Sequence, residues 1–452
     1  MPRKALCLGA LLALWGLAAW MRVRGLGEAS ALGDAIHPWW AALREGWPRP
    51  HAPPYGWALV LPYKAALLGA PDLWGAVRRL ALLHALAAPV AAWATWHLGE
   101  RWPIALAVGV VVALDPGLLD TVSSGAEGYL APLWIGLLLV GVTSAHRWGA
   151  PVALCAAAMA VMHHPLAICV VPLLAGLRWR ERSTWAGVGL AVLLLAPRLL
   201  RLAIEPLPGG ADLGGPAQAL TAYMAQGGPV AAVVLAGPFV GLFSGRTRSM
   251  AIRTLAAFAL LAAIGVLGGY LRDHHLRLLT LPALAGWAAV GWPWAVGVLG
   301  LLLVPWAGQD AAAHPERPGT LGLARILADR IEAEVAPPLV VDGAWISGGP
   351  AASPAALMLD LHLRGWTPAH LQPGHTIVVV VSGTREDIQS LDSGELRWLP
   401  GERHGLLVGP PGAVAQWSTR HCSARLGGAW DGLSVLHPAL GVESSRGWWA
   451  CP

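Results

Sequence analysis

Apolar runs recur along the chain as far as Pro305, separated by short links that carry arginines. Many approach the roughly 20 residues that cross a bilayer core. A chain that repeats such runs cannot hide them all in one aqueous core, so it reads as an integral membrane protein. The composition agrees: 56% of residues are hydrophobic and 13% charged, against about 25% charged in soluble domains.

Residues 1–21 open with Arg3 and Lys4 and read as an uncleaved first helix with its N-terminus in the cytoplasm. Further helices are expected at 80–98, 103–115, 129–143, 149–162, 166–178, 184–200, 229–244, 254–270, 277–291 and 293–307. The segment 57–70 is short and interrupted by Pro62, Lys64 and Gly69, so it reads as a helix lying on or dipping into the membrane. That reading places Arg101, Arg147, Arg178, Arg180, Arg182, Arg246, Arg248 and Arg253 in cytoplasmic links, as the positive-inside rule requires. It gives about eleven transmembrane helices and a C-terminus outside. Asp34, Glu45, Asp72, Asp115, Asp120, Glu127, Glu205, Asp212 and Asp273 then fall on the outer side. His163, His164, His274 and His275 fall at the outer ends of helices. The polar chemistry is expected on one face.

Charge divides the chain. Up to Gln309 it carries 21 basic and 12 acidic residues; from Asp310 on, 10 and 14. The simplest organisation is a basic membrane body, 1–309, with a large first outer loop, 23–79, and a small extracytoplasmic α/β domain, 310–452. In the tail an amphipathic helix is expected at Leu321–Glu334 and a second helix at Ser353–Arg364, with a short one near Arg385–Leu391. Strands are expected at Pro338–Asp342, His375–Ser382, Leu396–Leu399 and Gly405–Val408. No dinucleotide or Walker fingerprint occurs. Cys7, Cys155 and Cys169 lie in apolar segments. Cys422 and Cys451 lie in the tail and can form a disulfide if it is outside the cytoplasm.

The first outer loop concentrates the chemistry. Gly33–Leu61 reads GDAIHPWWAALREGWPRPHAPPYGWALVL and is too polar to span a bilayer. Asp34, just past the first helix, can accept a proton from an incoming hydroxyl. If the donor is a sugar on a lipid phosphate, the leaving phosphate needs no proton, and one carboxylate base suffices. The phosphate needs positive charge instead. Arg277 and Arg272, beside His275, sit at the right depth for it, and Lys64 is a further candidate. His37, His51 and Tyr55 can shape a sugar or acceptor pocket. Asp34 also fits a helix N-cap before IHPWW, and most of the 25 tryptophans read as an interfacial belt.

Asp115, Asp120 and Glu127 surround one outer loop. Each can hold an acceptor, position a divalent cation or cap a helix. The adjacent His163 and His164 point in different directions on a helix, which favours a polar pair at a helix end, able to bind phosphate, over a joint metal site. The loop 205–228, with a short helix near Pro216–Met224, reads as a lid or a plain connector.

Taken in order, these stretches resemble the GT-C superfamily of membrane glycosyltransferases, especially bacterial relatives of protein O-mannosyltransferases and aminoarabinose transferases. The resemblance rests on GDAIHPWWAALREG with HAPPYGWALVLPYKAALLGA, on AVRRLALLHALAAP, and on the acidic loop LDPGLLDTVSSGAEGYLAPLWIGLLLV. It continues through AMAVMHHPLAICVVPLLAGL and HHLRLLTLPALAGWA, and covers about residues 1–307. It implies an inverting transfer from a polyprenyl-phosphate sugar to a lipid, glycan or protein acceptor outside the bacterial inner membrane. Asp34 would match the first-loop catalytic aspartate, and Arg277 an arginine near the lipid phosphate. No cofactor is demanded, a divalent cation is compatible, and no nucleic acid is involved. The sequence departs from the family pattern in Ala35 and Ile36 after the aspartate, in His163-His164 where a lysine is usual, and in Leu278 where tyrosine is common. Two other classes stay open. A lipid-linked solute transporter or flippase would need inverted repeats and mid-helix charges. A non-catalytic GT-C-like protein would bind an envelope partner through its tail.

Overall fold

The computed structural model describes residues 2–25, 39, 42, 57–99, 101–115, 118–119, 130–204, 215–268, 271, 273–289, 320–334, 339–341, 359–361, 363–365, 376–382, 396–399, 404–410, 413, 424–426 and 448–450. Its contacts divide the chain into two units. The first holds Met1–Leu26, Pro54–Tyr63 and Arg78–Arg317; the second holds Gly27–Pro53, Lys64–Val77 and Pro318–Pro452. The sequence suggests one boundary near residue 309. The structure instead groups Lys64–Val77, from the first outer loop, with the tail.

The helices in chain order are α1 (Pro2–Gly25), α2 (Trp57–Leu67), α3 (Leu73–His84), α4 (Ala87–Gly99), α5 (Trp102–Leu114), α6 (Ala131–Thr143), α7 (Gly149–His163), α8 (Arg182–Ile204), α9 (Pro216–Leu242) and α10 (Arg248–Gly268). Leu6–Arg24, Leu73–Gly99 and Arg248–Leu267 are long and apolar enough to cross a membrane. Large side chains such as Phe243, Leu267, Leu193 and Val266 stay exposed on this unit, as lipid-facing residues do.

Two expected helices differ in kind. Residues Pro165–Gly176 form a twelve-residue 3-10 helix. Pro172 lacks the N–H that an α-helix would bond to Ile168, and the 3-10 rise stretches the segment to about 24 Å, where an α-helix would reach about 18 Å. The helix expected at 277–291 is broken: Asp273–Leu276, a 3-10 turn Arg277–Leu279, Thr280–Ala285 and a 3-10 turn Gly286–Ala289 follow one another. Pro282 cannot donate to Leu278, which favours the break after Arg277. The helix expected at 80–98 begins earlier, at Leu73, and turns at Ala85–Leu86. The helix expected at 293–307 lies outside the described residues.

Small residues let these elements touch backbone to backbone. A Cβ on Gly237 of α9 would collide with the Ala283 carbonyl, and one on Gly286 with the Gly237 carbonyl. Gly141 and Gly149 do the same for the α6–α7 hairpin, where a Cβ on either would come within 2.6 Å of the other's carbonyl oxygen. Alanines 150, 153 and 158 continue the contact into a buried cluster with Leu154, Leu177 and Ala191.

One end of the first unit is basic and rich in tryptophan. Arg101, Arg147, Arg178, Arg180, Arg182, Arg246 and Arg248 are exposed there. Trp96 stacks on Trp102 at 5.1 Å, and Arg147 lies over Trp148 at 5.6 Å. Trp179 and Trp185 meet edge-on at 6.4 Å. Arg253 and Val142 both reach Gly176, so these helix ends converge.

At the other end Arg22 is buried to 1% exposure. Its Nε donates to His84 Nδ1 at 2.8 Å. Nη1 donates to the carbonyls of Ala18 at 3.1 Å and Ala113 at 3.3 Å, and Nη2 to Val112 at 3.2 Å. Trp15 Nε1 adds a bond to the Leu82 carbonyl at 3.1 Å. The last carbonyls of a helix lack partners within it, and here the side chains of α1 supply them for α3 and α5.

In the second unit, α11 (Thr320–Glu334) precedes a four-stranded sheet of β1 (Leu339–Val341), β2 (Thr376–Ser382), β3 (Arg397–Leu399) and β4 (His404–Gly409), in the order β1-β2-β4-β3. β1 and β2 are parallel, with Val340 opposite Ile377; β4 runs antiparallel to β2 and β3, with Leu407 opposite Val379 and Trp398. β5 (Ala424–Leu426) and β6 (Trp448–Ala450) form a separate antiparallel pair. β1 to β4 and the first helix fall where the sequence pattern puts them; β5 and β6 were not expected. Of the helix expected at Ser353–Arg364, residues 359–361 are helical and the stretch before Leu359 lies outside the described residues, as does Arg385–Leu391.

Asp360 explains the membership of Lys64–Val77. Its Oδ1 accepts from the Leu73 backbone N–H, at the start of α3, at 2.6 Å. Arg364 clamps its Oδ2 at 2.9 Å and reaches Asp329 at 2.7 Å and Glu332 at 2.9 Å. Arg325 lies over Trp74 at 5.6 Å. Burial raises the Asp360 carboxyl above its ordinary value, which the Leu73 N–H and Arg364 partly offset, while Asp72 pushes it up again.

Gly237→Leu should prise α9 off the broken segment and destabilise the first unit by about 1–3 kcal/mol. Gly9→Ala, whose added Cβ meets nothing within 4 Å, should leave it intact. Thermal unfolding and size-exclusion profiles in detergent separate the two outcomes.

Candidate functional site

Opposite the arginine-rich end, helix ends converge on a buried polar cluster. α5 stops at Asp115, whose backbone is extended at ψ 113°, because Pro116 disfavours a helical conformation in the residue before it. Asp115 is buried, and its carbonyl accepts from Leu119 N at 2.9 Å. α7 ends at His163, which packs at 6.0 Å from Trp134 near the start of α6.

His164 starts the 3-10 helix, its Nδ1 accepting from Leu166 N at 3.2 Å. With Nδ1 so used, a neutral His164 carries its proton on Nε2. Its ring lies 4.9 Å from that of His275. Arg277 follows at the break, 4% exposed, and Thr280 opens the next helical piece, fully buried.

Tyr223 completes the cluster from α9. That helix is interrupted at Gly228, whose φ of 49° and ψ of −131° suit glycine alone. Pro229 follows, so Pro216–Gly227 is a short helix joined to the apolar segment Gly227–Leu242 at a bend. Tyr223, on the short piece, is 5% exposed. Burial pushes its phenol well above the ordinary tyrosine value; Asp115 adds to the rise, while Thr280 and Arg277 pull against it. A carboxylate, a guanidinium and a hydroxyl thus act on one phenol. The buried charges of Asp115 and Arg277 are of opposite sign, which limits the desolvation that a lone ion would suffer. Ionisable side chains buried in a membrane body are expensive and mark binding sites.

Of the residues that the sequence singles out, the structure brings His164 and His275 ring to ring, with Arg277 buried two residues beyond His275, while His163 is buried against Trp134. Lys64 is half-buried on α2 and belongs to the second unit. Asp34, His37, His51, Tyr55, Asp120, Glu127, Arg272, Cys422 and Cys451 lie outside the described residues. Asp115 was one of three acids in a loop that the sequence could not rank. Tyr223 and Thr280 were missed; the only trace was one tyrosine in an alanine-rich helix beside a Gly-Gly-Pro break. Among the described residues no three His, Cys, Asp or Glu side chains gather as a metal site.

Fold and cluster together define a multi-pass α-helical membrane protein with a buried, mixed-charge site at one end. No family model matches the sequence, and no curated protein does. Among solved structures the chain is similar to the crystal structure of ArnT from Cupriavidus metallidurans bound to undecaprenyl phosphate. The TM-score is 0.56 and the identity 14%, over 91% of this chain and 99% of that one. It is also similar to the same protein in the apo state, with a TM-score of 0.52 and 13% identity, over 91% of this chain and 98% of that one. What is shared is the fold.

Tyr223 should remain a neutral hydrogen-bond donor from neutral pH up to about pH 10. Tyrosinate absorbance titrations of the wild type and Tyr223→Phe should coincide over that range. A step present only in the wild type would show the phenol ionising there.

Proposed function

We propose that this protein is an inverting glycosyltransferase that moves a sugar from a polyprenyl-phosphate donor to an envelope acceptor at the outer face of the bacterial inner membrane. The observation that carries the reading is Arg277, buried beside His275 at one end of a bundle with the ArnT fold. The ArnT relative was crystallised with undecaprenyl phosphate. In this reading Arg277 holds the donor phosphate and neutralises the charge that it gains as the glycosidic bond breaks. His275 and His164 line the same pocket. Asp115 balances Arg277 when no donor is bound and helps to seat the acceptor with Tyr223 and Thr280. Asp34 takes the acceptor's proton. The short helix Pro216–Gly227, hinged at Gly228, serves as a lid over the sugar.

The arginine- and tryptophan-rich end supports an N-terminus in the cytoplasm, with the cluster at the outer face. We take residues 1–309 as the membrane body and 310–452 as an extracytoplasmic domain with Lys64–Val77 docked into it. Cys422 and Cys451 we take as a disulfide, the pairing that an oxidising compartment permits.

Purified protein should release polyprenyl phosphate from a polyprenyl-phosphate sugar. Asp34→Asn should lower turnover by about 100-fold or more while lipid-phosphate binding persists. Arg277→Gln should weaken undecaprenyl-phosphate binding by about 10- to 100-fold, as the loss of a charge-assisted hydrogen bond would. An Asp34→Asn protein with wild-type turnover would remove Asp34 as the base. Absence of turnover with every polyprenyl-phosphate donor tried would favour a transporter or a non-catalytic envelope protein.

A further inference from the structure

We propose that Arg22 is a positioning residue that sets the orientation of Asp115. The proposal rests on the glycosyl-transfer reading only in what Asp115 is held for; the hold itself is read from the geometry.

Arg22 is 1% exposed and stands in the last turn of α1. Two of its hydrogen bonds go to Val112 and Ala113, three and two residues before Asp115. Those carbonyls belong to the last turn of α5, where no later helical N–H can reach them. A helix end left that way frays, and the residue after it has no fixed place. Pro116 confines Asp115 to extended backbone; the guanidinium, by pinning both carbonyls, fixes the turn from which Asp115 leaves α5, and the Asp115 carbonyl accepts from Leu119 N.

The other two bonds fix the guanidinium itself. Ala18 O holds it to its own helix. Its Nε donates to His84 Nδ1, at the end of α3, which leaves the imidazole proton on Nε2. A planar fork with five donors can serve three carbonyls and one imidazole together. A lysine ammonium, with three donors on one atom, cannot. Positive charge alone is therefore not the role. It would be enough to neutralise Asp115, but it would not orient it.

The experiment uses the full-length protein in nanodiscs, with Arg22→Lys as the variant and Arg24→Lys as the control. Arg24 is two residues away, lies over Trp20 at 5.3 Å and has no part in the cluster. Hydrogen exchange read by mass spectrometry should show faster exchange at 113–119 in Arg22→Lys, with the helices elsewhere unchanged. In turnover of a polyprenyl-phosphate sugar, Arg22→Lys should lower kcat by about 10- to 100-fold, the scale of a small misplacement of reacting groups. The KM for the donor should stay within about threefold, since donor binding is not what Arg22 serves. Arg24→Lys should match the wild type in both assays.

Unchanged exchange at 113–119 in Arg22→Lys would overturn the proposal, and so would faster exchange through all of α1, α3 and α5, which marks a general pillar of the fold. If the variant does not fold, the wild type decides: its Leu119 amide must be protected like the core of α5, and exchange at a loop rate there overturns the proposal. A wild type that neither binds undecaprenyl phosphate nor turns over a donor sinks the glycosyl-transfer reading, while the exchange arm still judges Arg22.

Discussion

The first unit depends on one buried guanidinium. Removing an arginine from water costs several kcal/mol unless its donors are satisfied. Arg22 meets that condition by bonding an imidazole and three backbone carbonyls. The arrangement is reciprocal, because two of those carbonyls end α5 and would otherwise lack partners. The ends of α1, α3 and α5 are thereby held at one depth. No dispersion contact between apolar helices is as directional, and in lipid the hydrophobic effect does not favour one helix partner over another.

The cluster follows from two further constraints. Gly237 and Gly286 allow α9 and the broken segment to meet at backbone distance, which brings Arg277 and Thr280 under Tyr223. The break itself puts Arg277 at a turn, where a continuous helix would have bonded every backbone group to its own neighbours. The surrounding alanine, leucine and glycine residues exclude water, so the few polar groups act on one another strongly. In the proposed reading such a site receives the anionic head of a lipid phosphate at Arg277 and leaves its apolar tail among the surrounding side chains.

Much of this architecture was legible in the sequence because helix and strand periods are local. The apolar runs gave the helices α5 to α7 to within a few residues, and Thr376–Ser382 announces itself as a strand by its run of valines. What was not legible depended on partners far along the chain. Asp360 and Leu73 are separated by 287 positions, and no local pattern links a tail carboxylate to the start of a membrane helix. Pro172 and Pro282 are plain in the sequence, yet whether a proline kinks an α-helix or shifts it to 3-10 geometry is settled by packing. His163, His164, His275 and Arg277 could be picked out by polarity against an apolar background. Tyr223 could not, because a tyrosine near a membrane surface is usually an interfacial anchor.

The Arg22 bonds also bear on how the chain is assembled during synthesis. The partners of Arg22 on other helices lie 62, 90 and 91 residues downstream. When α1 leaves the ribosome, neither α3 nor α5 exists, and the guanidinium must stay hydrated at the bilayer edge. Only after Ala113 has emerged can the first helix take its final seat. The N-terminal segment is thus made first but locked only when the chain 91 residues beyond Arg22 has followed it, which gives the insertion machinery time to settle its orientation.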